Sequence, residues 1–362
     1  MKILIVTNSL ATGGAEKLIL DTVPEFVKKG VEVTLVLLNG NSTPFLDALR
    51  KKNVCEIVSL SNGSVYNPLL IFKLIPHLKN HTIVHVHLFP SLYWVAIAKL
   101  LSRSKATLFF TEHSTSNKRI RNGVFKILER FIYNKYDKVV CITHKVRTIF
   151  MEHLNFPKEQ MPVINNGVPI DKFKNAKKIE RTAIDKMVKE TDYLLVQVSG
   201  FREQKDQPTL IKALSNLPED IKLVLVGEGD YRSGCEQLVD KLQLNHRVFF
   251  LGLRMDVAEI LKTCDVCVLS SYYEGLSLSS IEGMASGNPF VASRVPGLEE
   301  MVDGAGLLFE QGDSVALASH IELLRNDKDF AKQIAEKCEQ RASRYSIEMM
   351  VDNHIKLYEQ YA

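Results

Sequence analysis

Long apolar runs are missing from this 362-residue sequence. A bilayer-spanning helix needs about 20 consecutive apolar residues, and the most apolar stretch, FPSLYWVAIAKLLSR, is cut by Lys99 and Arg103. A signal peptide is not expected either, because MKILIVTN runs straight into SLATGGAE, with too short an apolar stretch and no small-residue cleavage site. These features predict a cytoplasmic protein, soluble or peripheral at the inner face of the membrane. The formal net charge is only +4, too little for a whole-molecule pull toward nucleic acid. The six cysteines, at 55, 141, 235, 264, 267 and 338, are scattered, which suits a reducing compartment better than a disulfide framework. Cys264 and Cys267 make a CxxC, yet no second Cys or His pair completes a zinc set, so both are expected as buried thiols. Neither half holds G-x-G-x-x-G with an acidic residue downstream, which argues against a dinucleotide-dependent oxidoreductase.

What is present is a chain longer than one hydrophobic core usually supports, with 46% hydrophobic and 24% charged residues. The first half alternates strand-like runs (KILIVTN, VEVTLVLL, TIVHVHLF, ATLFFTEH, KVVCITH) with helix-length segments. The second half repeats the scheme with YLLVQVSGF, KLVLVGEG, RVFFLGL, DVCVLSS, NPFVASR and GLLFE. Strands separated by helices imply parallel sheets covered on both faces, so the expected class is α/β with two Rossmann-like domains. Asn165, Asn166, Gly167 and Pro169 mark a turn-rich boundary, giving a first domain over 1–170 and a second over 171–345. The last segment, 346–362, carries Met349, Met350, His354, Ile355 and Tyr358 at helical spacing. That stripe must be buried, and return to the first domain is expected. Open parallel sheets bind ligands at their strands' carboxyl ends, so two facing sheets would enclose a cleft lined by strand-end loops.

The most informative stretch is SSYYEGLSLSSIEGMASGNPFVASRVPGLEEMV, residues 270–302. A buried strand ends near Ser271, a tight loop holds Glu274 and Gly275, and a helix beginning near Ser277 carries Glu282 in its second turn. Free amides at a helix N-terminus, here those following Gly275 through Leu276 and Ser277, suit a phosphate. Carboxylates flanking them can accept hydrogen bonds from sugar hydroxyls. With Ala285, Gly287, Pro289, Gly297 and Glu300 following in order, this pattern resembles the retaining glycosyltransferases of family 4, which have the GT-B fold. Further motifs extend the resemblance over nearly the whole chain: GGAE at Gly13 and Gly14, TIVHVHLF with His87, TEH with His113, NNGVPIDKF, VGEGD and FLGLRMDV. One departure stands in VSGFREQKD, where Gly200 replaces the family's arginine while Lys205 is retained; Arg202 is the nearest guanidinium.

The resemblance implies transfer of a sugar from a nucleoside-diphosphate sugar, UDP favoured, to a glycan or lipid-linked acceptor, with retention and without a metal or other cofactor. It assigns Glu282 to the nucleotide ribose, Glu274 to donor-sugar hydroxyls and His113 to the sugar near the reacting carbon. Lys205 would meet the diphosphate, the backbone near Leu253 and Arg254 the base, and Gly13 and Gly14 the diphosphate or acceptor; Arg202, outside the family's pattern, is expected to replace the arginine absent at Gly200. A nucleotide-sugar epimerase of the same fold and a non-catalytic nucleotide-sugar-binding protein are the alternatives. The single D-x-D, Asp327-Lys328-Asp329, sits in a charged helix connection and is expected to be solvated rather than metal-binding. The basic segment 117–138, seven Lys or Arg interleaved with Ile120, Phe125, Leu128, Phe131 and Ile132, either packs its apolar stripe on the sheet or touches an anionic membrane.

Overall fold

A computed structural model describes residues 1–113 and 123–361, with the side chains of 123–125 outside that description. Residues 117–122 of the basic segment therefore lie outside the described residues. The chain forms two compact units, one of Met1–Gly167 with Ile347–Ala362 and one of Val168–Ser346.

The first unit contains β1 (Lys2–Thr7), α1 (Gly14–Lys28), β2 (Glu32–Leu37), α2 (Pro44–Lys52), β3 (Glu56–Ser59), α3 (Leu70–Lys79), β4 (Ile83–His87), α4 (Ser91–Ser102), β5 (Thr107–Glu112), α5 (Gly123–Tyr133), β6 (Lys138–Cys141) and α6 (His144–Leu154). Its strands lie in the order β3-β2-β1-β4-β5-β6, all parallel. Five of the six residues in both β1 and β2 are buried, as expected for strands covered by helices on both faces. The order reverses between β1 and β4. Right-handed crossovers then place α1 and α2 on one face and α3, α4 and α5 on the other.

The second unit contains α7 (Ile170–Lys174), β7 (Tyr193–Val198), α8 (Gln207–Leu214), β8 (Ile221–Val226), α9 (Arg232–Lys241), β9 (Val248–Gly252), α10 (Val257–Thr263), β10 (Val266–Leu269), α11 (Leu278–Ala285), β11 (Phe290–Ser293), α12 (Glu299–Val302), β12 (Leu307–Phe309), α13 (Ser314–Asn326) and α14 (Lys328–Ala342). Its six parallel strands run β12-β11-β10-β7-β8-β9. The reversal falls between β7 and β10, the place where an open α/β sheet takes its ligand.

The last helix, α15 (Ile347–Glu359), packs against α1 in the first unit. Its buried stripe is Ile347, Met350, Val351, His354, Leu357 and Tyr358. Met349, expected in the stripe, is instead 52% exposed. In α5 the apolar residues divide between two faces: Ile132 is buried whereas Leu128 and Phe131 are exposed, so a single packed stripe is not what forms.

Candidate active site

In the second unit the carboxyl ends of β7 and β10 are tied together by polar side chains. Buried Ser270 donates to Gln197 Oε1 at 2.9 Å and to the Asp206 carbonyl at 2.7 Å. Gln197 in turn donates to the Lys205 carbonyl at 3.0 Å. The loop after β7 thereby presents Lys205 to Glu274: Nζ stands 2.5 Å from Oε1, and Ser271 Oγ donates to the same oxygen at 2.6 Å. Glu274 is 8% exposed, and a buried carboxylate is tolerable only with partners of this kind. Both converge on Oε1, so Oε2 is the oxygen open to a ligand hydroxyl.

The loop's backbone is held from below by Gly297, whose φ is +88° and where a Cβ would lie 2.4 Å from the carbonyl oxygens of both Glu274 and Gly275. Only glycine allows that approach. After Gly275 and Leu276, Ser277 caps α11, accepting from the Ser280 amide at 3.4 Å. Amides of the first helical turn have no intrahelical acceptor and form an anion site. Glu282 lies in the next turn and is 6% exposed.

The cations differ in their engagement. Arg254 forks onto Asp256 at 2.8 and 2.6 Å, and Arg294 bridges Glu299 and Glu310 at 2.9 and 3.0 Å. Arg202 is exposed and has no ion-pair partner among the described residues. Its Nε stands 3.9 Å from where a Cβ at Gly200 would be. Leu253, at 36% exposed, lies just after β9.

In the first unit Gly13 caps α1; a Cβ on Gly14 would meet nothing within 4 Å, whereas one on Gly13 would lie 2.2 Å from a Glu16 carboxylate oxygen, so Glu16 folds over the cap and the open space lies at Gly14. His87 ends β4 and His113 follows β5; His87 Nδ1 and His113 Nε2 are 3.0 Å apart and share one proton position. His85 stacks on His87 with ring centres 4.4 Å apart. Its own nitrogens are taken by Thr111 Oγ1, at 2.6 Å, and by the Tyr358 hydroxyl. His354 from α15 completes the cluster, its ring centre 5.3 Å from that of His85. Burial pushes His113 and His354 down to about 4, and His354 also lowers His113. His85 and His87 are lowered well below the usual value, mainly by burial and then by neighbouring imidazoles. At neutral pH these imidazoles are neutral hydrogen-bonding groups.

A histidine depressed in the folded state costs nothing above its unfolded pKa of about 6.5, and its penalty grows as pH falls from there toward 4. The melting temperature should therefore drop by about 5 °C or more between pH 7 and pH 5, and His354→Gln should flatten that slope. A melting temperature constant across this range would contradict the assignment.

The remaining sequence candidates are structural. Asp327 of the D-x-D caps α14, accepting from the Phe330 amide at 2.8 Å. Cys264 and Cys267 are buried with thiols pushed up, Cys267 to about 12, principally by burial. Among the described residues no group of three or more His, Cys, Asp or Glu is arranged to hold a metal.

Residues 12–172 match the glycosyltransferase family 4 domain, and residues 179–341 match the domain described as glycosyl transferases group 1. The chain is a family 4-like glycosyltransferase of the GT-B type. This glycosyltransferase is 32% identical to EpsD of Bacillus subtilis (strain 168), itself provisionally named a glycosyltransferase, over 54% of this chain and 53% of that protein. The match thus spans about half the length of that relative. It is 26% identical to the Escherichia coli UDP-Gal:alpha-D-GlcNAc-diphosphoundecaprenol alpha-1,3-galactosyltransferase, over 80% and 79% of the two chains. The crystal structure of Anabaena Alr3699/HepE in complex with UDP-glucose shares the fold, with a TM-score of 0.84 at 22% identity, covering 99% of this chain and all of that one.

Several residues of the glycosyltransferase site escape sequence reading. Ser271, Gln197 and Ser270 look like ordinary strand-end polar residues, and only the paired hydrogen bonds reveal that they aim Lys205 and Glu274. His354 and Tyr358 carry a faint signal, since polar ring residues on a buried helical stripe require partners.

Proposed function

We propose that this glycosyltransferase moves a sugar from a UDP-sugar to a glycan or lipid-linked acceptor, with retention of configuration and without a metal, in assembly of bacterial surface polysaccharide. The observation that carries the reading is the Lys205–Glu274–Ser271 cluster beside the first turn of α11. It sets a cation, helix amides and a hydroxyl-accepting carboxylate side by side, the groups that a sugar joined to a diphosphate requires. The UDP-galactose and diphosphoundecaprenol in the E. coli relative's name, and the UDP-glucose of the Anabaena complex, support the choice of donor and acceptor.

In this reading the second unit holds the donor and the first the acceptor. The bond from the anomeric carbon to the diphosphate breaks, the acceptor oxygen bonds to that carbon on the same face, and the acceptor's proton passes to the departing phosphate oxygen. Lys205, Arg202 and the amides after Gly275 stabilise the charge that develops on the leaving group. Glu282 takes the ribose, Glu274 the sugar hydroxyls, and the backbone at Leu253 and Arg254 the base. His113 binds the sugar as a neutral imidazole, and Gly14 leaves room for the acceptor or diphosphate.

A thermal-shift panel of nucleoside diphosphates tests the donor: UDP at about 100 times its Kd should stabilise by about 2.7 kcal/mol, and a panel without any UDP response would reject it. The anomeric configuration of the product tests retention. Turnover should survive excess chelator, because Lys205, Arg202 and amide dipoles meet the diphosphate; complete loss restored by manganese or magnesium would overturn metal independence. Glu282→Ala should weaken UDP binding about 10- to 100-fold by calorimetry, since a carboxylate receiving ribose hydroxyls contributes about 1.5–3 kcal/mol. Unchanged affinity would remove Glu282 from the ribose.

A further inference from the structure

The modest net charge hides a strong segregation. Between Ile57 and Tyr136 the sequence has eleven Lys and Arg but only two carboxylates, Glu112 and Glu129. Both carboxylates are buried: Glu129 is fully covered and meets His153 at 2.7 Å, and Glu112 receives the Tyr133 hydroxyl at 2.7 Å. The segment itself consequently exposes no acidic side chain among the described residues; the exposed carboxylate next to it is Asp137, which meets Lys99 at 3.3 Å. Three of its cations, Lys118, Arg119 and Arg121, lie outside them.

The same segment concentrates exposed apolar side chains. Less than a quarter of the chain by length, it supplies nine of the nineteen large apolar residues exposed among the described residues. They include Phe72 on α3 at 61%, Leu101 on α4 at 58%, and Ile127 and Phe131 on α5 at 78% and 51%. These helices form one layer, since α4 packs against both α3 and α5, and they cover the sheet face opposite α1 and α2. On α5 the exposed stripe alternates the two chemistries: Lys126 and Arg130 flank Ile127 and Phe131, and Lys135 lies over the Phe131 ring at 4.5 Å.

Scattered exposed apolar residues are ordinary, whereas their concentration on one face marks an interaction surface. Cations of which, among the described residues, only Lys99 meets a carboxylate, interspersed with aliphatic and aromatic side chains, match an anionic lipid surface, where the charges meet headgroups and the apolar groups enter the acyl boundary. A helix face intended for a second folded protein would be expected to carry charges of both signs. We propose that the α3–α4–α5 layer docks this glycosyltransferase on the headgroup region of an anionic bilayer. The proposal is wider than contact through 117–138 alone and does not depend on which sugar is transferred.

Flotation of the full-length protein with vesicles tests it. Vesicles containing about one-third phosphatidylglycerol should carry the protein upward at about 0.05 M salt, and phosphatidylcholine vesicles should not. Raising salt to about 0.5 M should reduce the bound fraction, because the Debye length falls severalfold. Lys126→Glu with Arg130→Glu should lower partitioning at least about tenfold, each basic group near such a surface being worth about a fivefold change. Ile127→Ser with Phe131→Ser should remove whatever binding persists at high salt. Because these side chains are exposed, both double variants should keep the parent's melting temperature and its stabilisation by UDP. Should either variant fold poorly, the parent's lipid and salt dependence decides the matter. Failure of the parent to float with anionic vesicles, equal flotation with neutral ones, or unchanged partitioning of the folded charge-reversed variant would overturn the proposal. Retention on heparin without vesicle binding would overturn it in favour of another polyanion.

Discussion

Glu274→Gln is expected to lower kcat about 100- to 1,000-fold while leaving UDP affinity within about threefold of the parent. The substitution keeps the side chain's size and one acceptor oxygen but removes its charge. In the parent, Lys205 Nζ and Ser271 Oγ are both directed at Oε1. This fixes the carboxylate's orientation before any ligand arrives, and Oε2 can then accept from a donor-sugar hydroxyl. A glutamine amide offers two donors where the site supplies two more, so it must turn one NH2 hydrogen toward Lys205 or abandon the sugar contact. Either outcome leaves Lys205 without its nearest anion and loosens the group meant to meet the leaving diphosphate. A loss of about 2.7–4 kcal/mol follows if these interactions strengthen in the transition state. Free UDP lacks the transferred sugar, so its affinity should change little. Calorimetry with UDP and steady-state kinetics on the same preparation separate the two effects. UDP binding weakened as much as kcat would show that Glu274 serves the nucleotide rather than the sugar.

Much of the fold was legible because parallel strands buried on both faces are written as short continuous apolar runs. All six strands of the second unit begin or lie within runs visible in the sequence, from YLLVQVSGF to GLLFE. β3 was not legible: its four residues, EIVS, form an edge strand with none of them buried, so neither periodicity nor a hydrophobic run marks it. The order of Glu274, Gly275, Ser277 and Glu282 around a strand-to-helix turn was also legible, since turn and cap chemistry are local. The register of partners across the sheet was not. Nothing in the spacing of Gln197, Lys205 and Ser270 tells that Gln197 and Ser270 pin the loop whose Lys205 amine reaches Glu274. The histidines illustrate the same limit. His85 and His87 were visible as two residues on one strand face, but their partners His354 and Tyr358 are more than 260 positions away in sequence. That distance is bridged only by α15 returning to the first unit.

Arg202→Ala is expected to reduce turnover about 30- to 1,000-fold, equivalent to about 2–4 kcal/mol of transition-state stabilisation. A diphosphate gains negative charge as the glycosidic bond breaks, and Lys205 alone must divide itself between that charge and Glu274, to which it is already bound at 2.5 Å. A second cation is needed, and the position where the family's arginine stands is Gly200. The neighbouring guanidiniums are committed: Arg254 to Asp256, Arg294 to Glu299 and Glu310. Arg202 alone of these three has no carboxylate partner among the described residues, and its Nε lies 3.9 Å from the missing Cβ at Gly200. The side chain has thus folded back over the strand end toward the vacated position. A Cβ at Gly200 would stand 3.4 Å from the Glu228 carbonyl and 3.9 Å from Arg202 Nε, ordinary van der Waals distances, so the position can take a side chain once the Arg202 guanidinium is withdrawn. Two substitutions follow from this geometry. Arg202→Lys should recover only part of the loss, since an ammonium cannot make the paired contact of a guanidinium with phosphate oxygens. Gly200→Arg in the Arg202→Ala background should restore more activity than Arg202→Lys, because it returns the fork to the family's position. Turnover of Arg202→Ala within about threefold of the parent would assign Arg202 to the solvated surface and leave the leaving group to Lys205 and the helix amides.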